Sequence, residues 1–128
     1  MVKKRSRRKK GFARTRSYPL KNHPAFYRKR GNDDIEYITF THSENVIFDN
    51  GEILATRELQ RNINPKSIRE NGKKSYAVPR VYTGKRSSLK NELPDYVIDD
   101  LDKSLIEELF NTSKRYPVSY TSNSKKKK

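Results

Sequence analysis

The sequence predicts a mainly β domain with one C-terminal α-helix, built as a small curled antiparallel sheet or a small barrel. Short runs rich in β-branched and aromatic residues alternate with polar, glycine-containing turns. Only residues 98–110 have a helical spacing of apolar residues. A chain of 128 residues of which 31% are hydrophobic can bury only a modest core, so we expect a single small domain at residues 18–112.

Positive charge is concentrated at the two ends of the chain. The net charge is +15; residues 1–30 hold thirteen Lys or Arg and no acid, four lysines end the chain, and residues 31–124 carry −2. Such dense like charge disfavours packing, so residues 1–17 are predicted to be a basic, disordered arm and residues 113–128 a polar, Lys-ended tail.

Polyanions are the natural partners of these ends, because each phosphate neutralised releases counterions. A solubilising tail or a localisation signal is the alternative. The arm residues expected to bind nucleic acid are Lys3, Lys4, Arg5, Arg7, Arg8, Lys9 and Lys10.

Several classes of protein are disfavoured. The sequence has no cysteine, which excludes disulfides and thiolate metal sites. No apolar run approaches the ~18 residues of a membrane span, and no apolar stretch follows the charged N-terminus as in a secretory signal. The carboxylates cluster at the predicted helix start, where capping explains them without a metal. We expect a cytoplasmic protein with no membrane contact, no metal and no cofactor.

Two hairpins are predicted in the first half of the domain. A strand begins at residues 24–27, a polar turn surrounds Gly31, and residues 35–41 form the antiparallel partner strand. Residues 46–56 form a second hairpin around an Asn-Gly turn. Residues 57–74 are polar and loop-like.

The second half contains the last strand and the helix. Residues 76–82 are predicted to be a strand whose Pro79 indicates an edge or a bulge, for a total of about five strands. A basic turn follows at residues 83–88. The helix at residues 98–110 has an apolar face formed by Leu101, Leu105, Ile106 and Leu109.

The only two histidines, His23 and His42, fall at neighbouring strand ends in this arrangement. His23 opens the first strand and His42 closes the second, and these ends lie side by side in an antiparallel hairpin. An unperturbed pKa near 6.5 suits histidine to both proton donation and proton acceptance. With the hydroxyls of Thr41 and Ser43 beside them, the pair is a candidate catalytic group. The alternative is structural: a turn residue before proline and a hydrogen-bonded loop residue.

Aromatic and basic residues near the last strand suit nucleic-acid binding. Tyr76 and Tyr82 lie six residues apart on the predicted strand and so share a face, where exposed rings can stack on unpaired bases. Covering the core is the alternative role. Phosphates can be held by Lys21, Arg80, Lys85 and Arg86, which would otherwise be solvated basic residues.

The order of these elements resembles the PemK/MazF-like toxin superfamily, including its ToxN/AbiQ branch. That family starts a strand with Arg-Pro and apolar residues, where this chain has His23-Pro24. A Thr or Ser ends the next family strand, as at residues 38–43. A Ser-x-apolar-apolar strand, a polar turn ending in Leu and a helix follow, as at residues 75–110. The resemblance covers residues 19–110 and implies an SH3-like barrel with a closing helix. His23 and Tyr82 stand where many members have arginine.

The resemblance implies a metal-independent endoribonuclease that cleaves single-stranded RNA by attack of the 2′-hydroxyl on the adjacent phosphate. That chemistry needs a base, an acid and cations. Its candidate catalytic residues are His23, Thr41, His42 and Ser43. The implied partners are single-stranded RNA and an antitoxin protein or RNA, and a homodimer is compatible with them.

Two other functions fit the composition. The chain can be a non-catalytic nucleic-acid-binding module of a phage, a plasmid or a ribonucleoprotein particle that binds through its basic ends. It can also be a ribosomal-protein-like chain with a small neutral globule and basic extensions.

Overall fold

The computed structural model describes residues 9–16, 22–48, 50–64 and 74–118. This part of the chain is mainly β with one C-terminal helix, which confirms the predicted class. The helix is α1, Lys103–Thr112, and short 3₁₀ turns lie at Arg86–Ser88 and Asp100–Asp102. The strands are β1 (Lys10–Thr15), β2 (Pro24–Lys29), β3 (Asp34–Thr41), β4 (Asn45–Ile47), β5 (Ile53–Ala55), β6 (Arg57–Glu58), β7 (Tyr76–Ala77), β8 (Val81–Lys85), β9 (Leu89–Glu92) and β10 (Arg115–Pro117).

The main sheet is open, which confirms the predicted antiparallel sheet and not its alternative, the SH3-like barrel. Its strand order is β10-β8-β3-β2-β1-β9, and β7 joins it beside β3 and pairs with β6. Within the described ranges this order ends at β9 and β10, and the side branch ends at β6. All pairs of the sheet are antiparallel except β8 with β10. Both predicted hairpins are present, as β2 with β3 and as the separate sheet of β4 with β5.

The sheet is strongly curled, as predicted. Strands β8 and β9 are four strand spacings apart in the sheet order, which is about 19 Å in a flat sheet. The chain that joins them from Lys85 to Leu89 spans at most about 14 Å. The sheet must therefore bend to bring these two strands together at this end.

Both faces of the central strands are buried. On β3, Ile38 and Phe40 join one apolar cluster, and Ile35 and Tyr37 join another on the opposite face. The first cluster packs against Phe110 and its neighbours on α1, and the second is closed by residues of β8, β9 and the segment after β10. A strand buried on both faces reads as a nearly continuous apolar run, and β3 has six consecutive buried residues.

One acidic residue of β3 is buried inside this arrangement and is neutralised there. Glu36 is 9% exposed, and its carboxylate accepts from Arg28 at 3.0 Å and from Arg115 at 3.1 Å. Arg28 also pairs with Glu107 at 3.2 Å, which ties β2 to α1. A buried carboxylate with two guanidinium partners avoids the cost of an unpaired buried charge.

The predicted flexible arm is wrong for residues 10–15, which form β1 between β2 and β9. Phe12 is 3% exposed and Ala13 is fully buried, one on each face of the sheet. The sequence prediction missed this strand because Phe12 and Ala13 are flanked by many basic residues. The predicted tail is likewise wrong at its start, because Arg115–Pro117 pairs with β8 and Val118 is buried.

The last strand and the helix also differ from the prediction. Residues 76–82 form parts of two strands, because the chain leaves the ladder around Pro79, which has no N–H to donate. The helix begins at Lys103, and Leu101 is 54% exposed, so it lies off the apolar face. Asp99 does not cap α1 but caps the 3₁₀ turn before it, by accepting from the Leu101 N–H at 2.9 Å. In the described residues no helix is both long and apolar enough to cross a membrane.

The buried position of β1 gives a stability test. We expect Phe12→Ala to lower the free energy of unfolding by about 3–5 kcal/mol, because a large ring leaves a cavity in the core. Leu101→Ala, a control at an exposed apolar residue, should change it by less than about 0.5 kcal/mol. Urea unfolding followed by circular dichroism measures both. Equal, small effects of the two substitutions would contradict the placement of β1 in the sheet.

Candidate functional site

A pocket of about 360 Å³ lies where the chain enters β2 and leaves β3. The structure brings together all four predicted catalytic residues in its lining, from two neighbouring strand ends. The pocket is lined by Arg14, Asn22, His23, Pro24, Phe40, Thr41, His42, Ser43, Asn62, Ile63, Asn64, Ser75 and Tyr96.

His23 is held at the end of β1 by backbone geometry. The His23 N–H donates to Thr15 Oγ1 at 2.9 Å, and the Thr15 N–H donates to the His23 carbonyl at 2.9 Å. The preceding Asn22 has φ 61°, a left-handed conformation that asparagine adopts more readily than most residues. This turn aims the His23 side chain into the pocket.

Both imidazole rings are fixed by the same kind of contact. His23 Nδ1 lies 3.2 Å from the Phe40 carbonyl oxygen, and His42 Nδ1 lies 2.9 Å from the Lys74 carbonyl oxygen. A carbonyl oxygen only accepts, so each Nδ1 carries a proton and donates it. In the neutral ring Nε2 is then the basic atom. The two histidines therefore share one tautomer, with Nε2 as the group that exchanges protons.

The surroundings of His23 favour its neutral form. Burial lowers the pKa of His23 below its usual value of 6.5, and the positive charges of Arg14 and of protonated His42 lower the pKa further. Both histidines line the same pocket. At neutral pH His23 is thus a proton acceptor.

The two hydroxyl residues have different surroundings. Thr41 Oγ1 accepts from the Ser43 N–H at 3.4 Å, which supports the bend that carries His42. The Ser43 carbonyl accepts from Thr56 Oγ1 at 2.9 Å, so the bend is also tied to the chain after β5. Thr41 therefore positions the bend that carries His42, and Ser43 lines the pocket.

The opposite wall is a polar loop, for which the sequence indicated only an irregular segment. The buried carboxylate of Asp102 accepts from the N–H groups of Gln60 at 2.8 Å and Arg61 at 3.0 Å. These hydrogen bonds fix the loop against the turn that precedes α1. The loop then delivers Asn62 and Asn64 to the pocket.

The amides of this wall are held by two further residues from distant parts of the chain. Ser75 Oγ donates to Asn62 Oδ1 at 3.2 Å and accepts from the Ile63 N–H at 3.1 Å. Asn64 Nδ2 donates to the Tyr96 hydroxyl at 3.3 Å. No local motif joins these positions, so no pattern in the sequence indicated this wall. Arg14, the cation of the pocket, was also missed, because it lies in the segment that was predicted to be a flexible arm.

The predicted basic cluster of Arg80, Lys85 and Arg86 is not a free cluster. The side chain of Arg80 is only 11% exposed, pairs with Glu52 and lies over the rings of Phe48 at 3.9 Å and Tyr116 at 4.2 Å.

The other two cations are engaged in a similar way. Lys85 pairs with Asp34 at 2.8 Å. Arg86 pairs with Glu92 and lies 4.8 Å above the ring of Tyr27. These interactions stabilise the fold, and none of the three residues lines the pocket.

Tyr76 and Tyr82 lie opposite Thr41 and Tyr37 on one face of β3, as predicted, but the predicted exposure is wrong for Tyr82. Tyr82 is 2% exposed and packs on Tyr37 and Tyr116, with ring centroids 5.5 and 6.1 Å apart. Tyr76 is half-buried and pairs across the ladder with Thr41. Tyr82 belongs to the apolar cluster of Tyr37, whereas Tyr76 lies beside the last residue of β3.

The remaining residues that were predicted to bind RNA lie partly within the described residues. Lys9 and Lys10 are exposed at the start of β1. The remaining members, Lys3, Lys4, Arg5, Arg7, Arg8 and Lys21, lie outside the described residues.

Neither a metal site nor a relative identifies the pocket. Among the residues that the structure describes, no group of three or more His, Asp or Glu side chains is placed to hold a metal ion. No protein-family model matches the chain, and no curated protein or solved structure matches it significantly. The resemblance to the PemK/MazF-like superfamily therefore stays a prediction.

The environment of His23 predicts an unusual titration. The imidazole of His23 should titrate below pH 6.5 in the folded protein, and Arg14→Gln should raise its pKa by removing a neighbouring positive charge. Because the folded state disfavours the protonated ring, this contribution to stability is complete above about pH 6.5 and is lost as the pH falls through the lowered pKa. Proton NMR of the imidazole resonances measures the midpoint.

Arg57→Gln is the matched control for this titration. Arg57 pairs with Glu108 on the exposed surface at 3.7 Å and does not line the pocket. Its loss should leave the His23 midpoint unchanged. An equal shift in both variants would mean that net charge, rather than Arg14 at the pocket, controls His23.

Proposed function

We propose that the protein is a metal-independent endoribonuclease that cleaves single-stranded RNA at the pocket of His23 and His42. The observation that carries this proposal is the matched anchoring of two histidines in one pocket, each with Nδ1 on a backbone carbonyl. A base and an acid that face one cavity are the minimum that the transfer of two protons requires.

The proposed role of His23 follows from its surroundings, which favour the neutral ring, and the other proton transfer is assigned to His42. Neutral His23 takes the proton of the ribose 2′-hydroxyl through Nε2, and the 2′-oxygen attacks the adjacent phosphorus. The bond to the 5′-oxygen of the next nucleotide breaks, and protonated His42 donates a proton to that oxygen. The products are a 2′,3′-cyclic phosphate and a 5′-hydroxyl. Arg14 supports the assignment, because its charge lowers the pKa of the proposed base.

Arg14 also supplies the positive charge that this step needs. It is the one Lys or Arg among the described residues that line the pocket, and its Nη1 donates to the Asn22 carbonyl at 3.0 Å. That hydrogen bond orients the guanidinium near the cavity where negative charge on the phosphorane would grow. Ser43 lines the same pocket, and its hydroxyl is the proposed second donor.

A non-catalytic nucleic-acid-binding module is the second candidate. It is favoured by the distribution of charge, because residues 1–30 carry thirteen basic residues and no acid, whereas the pocket lining holds a single arginine. In that case the ends of the chain bind phosphates and the histidines are structural. An antitoxin partner and a homodimer stay predictions of the family resemblance, and a cytoplasmic location stays a prediction from the composition.

Cleavage tests the first proposal. Wild-type protein should nick a mixed single-stranded RNA in excess EDTA, and a substrate with 2′-deoxyribose throughout should resist. His23→Asn or His42→Asn should reduce the rate by about 100-fold or more, because each removes one proton-transfer group. Asparagine keeps an N–H close to the position of Nδ1, so each hydrogen bond to a carbonyl can be preserved. Electrophoresis of labelled RNA gives the rates.

The pH dependence of cleavage provides a further check on the roles. With His23 as the base, the rate should fall as the pH drops below the His23 midpoint measured by NMR. Thermal unfolding of each variant shows whether the fold is intact. Normal cleavage by both folded variants would rule out this pair as the catalytic group.

Removal of residues 1–8 tests the second candidate. Because these residues precede β1, the truncated protein should keep its circular dichroism spectrum and unfolding midpoint. It loses five basic residues, so log K for a single-stranded RNA should depend less on log salt, by about 0.7 for each phosphate that the segment neutralises in the full chain. Fluorescence anisotropy at several salt concentrations measures the slope. An unchanged slope would show that this segment does not bind RNA.

A further inference from the structure

A second cleft of about 390 Å³ lies between the β1–β2 hairpin and α1. It shares Tyr96 with the histidine pocket, so the two cavities meet at that side chain. Tyr96 is half-buried, and its hydroxyl accepts from Asn64 on the pocket side. Its ring packs 5.7 Å from that of Phe12 on the cleft side. The cleft therefore continues the surface of the proposed active site.

The two cavities lie along one face of the hairpin. Residues two apart on a strand share a face, so this face carries three successive cross-strand pairs. Arginine and proline stand at the histidine pocket, two phenylalanines stand in the middle, and two cations stand at the far end. The pairs are Arg14 with Pro24, Phe12 with Phe26, and Lys10 with Arg28.

Aromatic rings form the inner surface of the cleft. Phe12 and Phe26 have centroids 5.2 Å apart, and Phe26 meets Phe110 of α1 edge-on at 6.2 Å. Phe26 and Tyr96 are only partly buried, so ring surface is accessible beside the pocket. Such a surface suits the face of an unpaired base, which stacks on aromatic rings with little dependence on sequence.

The charge at the cleft favours an anionic occupant. The cleft is lined by three cations, Lys10, Arg28 and Lys103, and by one acidic residue, Glu107. Arg28 is already bound by Glu36 and Glu107, and Lys103 pairs with Asp100 in an exposed ion pair. Lys10 is exposed at the far end, and residues 3–9 of the sequence, which precede it, carry six more basic residues.

We propose that this cleft is a second nucleotide subsite for single-stranded RNA. The base of a nucleotide next to the cleavage point stacks against Phe26 and Tyr96, and its phosphate is bound by Lys10. The proposal rests on the proposed function for the identity of the ligand as RNA. The subsite does not depend on catalysis, because binding at the cleft requires neither histidine.

The test uses full-length His23→Asn/His42→Asn protein, so that the RNA stays intact. Amide NMR spectra are recorded with the four nucleoside 3′-monophosphates and with the four homotrinucleotides of RNA. We expect monophosphates to shift pocket amides such as Ser43, and trinucleotides to shift cleft amides such as Phe12 and Ile106 as well. Lys10→Gln should lower the salt slope of trinucleotide binding by about 0.7.

A matched pair of surface substitutions locates the binding. Val97 lines the cleft and is 52% exposed, and Ile47 is 71% exposed on the β4–β5 hairpin outside both cavities. Val97→Glu should weaken trinucleotide binding at least about five-fold, because a carboxylate in the cleft opposes the phosphate and disturbs a stacked base. Ile47→Glu should leave it unchanged.

The outcomes separate this proposal from the proposed function. If trinucleotides shift only pocket amides, or if both glutamate variants bind equally well, the cleft subsite is wrong and the histidine site is unaffected. If cleft amides shift and Val97→Glu alone weakens binding, but wild-type protein does not cleave RNA, the subsite is right and the nuclease proposal is wrong. If no amide in either cavity shifts and no RNA is cleaved, both proposals are wrong.

Discussion

Burial of the sheet on both faces is the constraint on which this structure depends. The side chains of β1, β2 and β3 alternate between two apolar clusters, so the middle of the sheet has little room for polar chemistry. Polar groups must then gather where strands end, since buried polar groups need partners. The histidine pocket lies at such a place, between the entry to β2 and the exit from β3. The position of the candidate site thus follows from the same alternation that forms the core.

Some of the described arginines are packed inside the fold, which changes how the charge of the protein should be interpreted. Arg28 and Arg86 each pair with a carboxylate and lie over an aromatic ring, and Arg80 does the same between two rings. A planar guanidinium is well suited to this double role. These arginines act as packing residues, so a basic stretch in the sequence of the body did not identify a phosphate site. Arg14 and Lys10, which line the two cavities on β1, are the better candidates.

The sequence predicted what local patterns determine. The hairpin of β2 and β3 and the convergence of His23 and His42 followed from two short strands and one polar turn. The prediction failed where the local structure depends on residues that are distant in the sequence. In β1, two buried residues outweigh the repulsion between flanking cations, because neighbouring strands on both sides complete its ladder. Exposure of Tyr82 was predicted wrongly because its face of the sheet is covered there by the apolar cluster of Tyr37. The wall of Asn62 and Asn64 depends on Asp102 and Ser75, which no local motif connects to them.

The anchoring of the histidines links this fold to a chemical capacity. A carbonyl oxygen at the end of β3 accepts from His23, and one just before β7 accepts from His42. These two carbonyls fix both tautomers through the backbone, so the arrangement persists as long as the strands pair. The same end of the sheet partly buries His23 and places Arg14 beside it, which holds that ring neutral, whereas His42 is exposed. Two chemically identical side chains thereby acquire different environments, and the proposed mechanism depends on such a difference, because one residue must accept a proton while the other donates one.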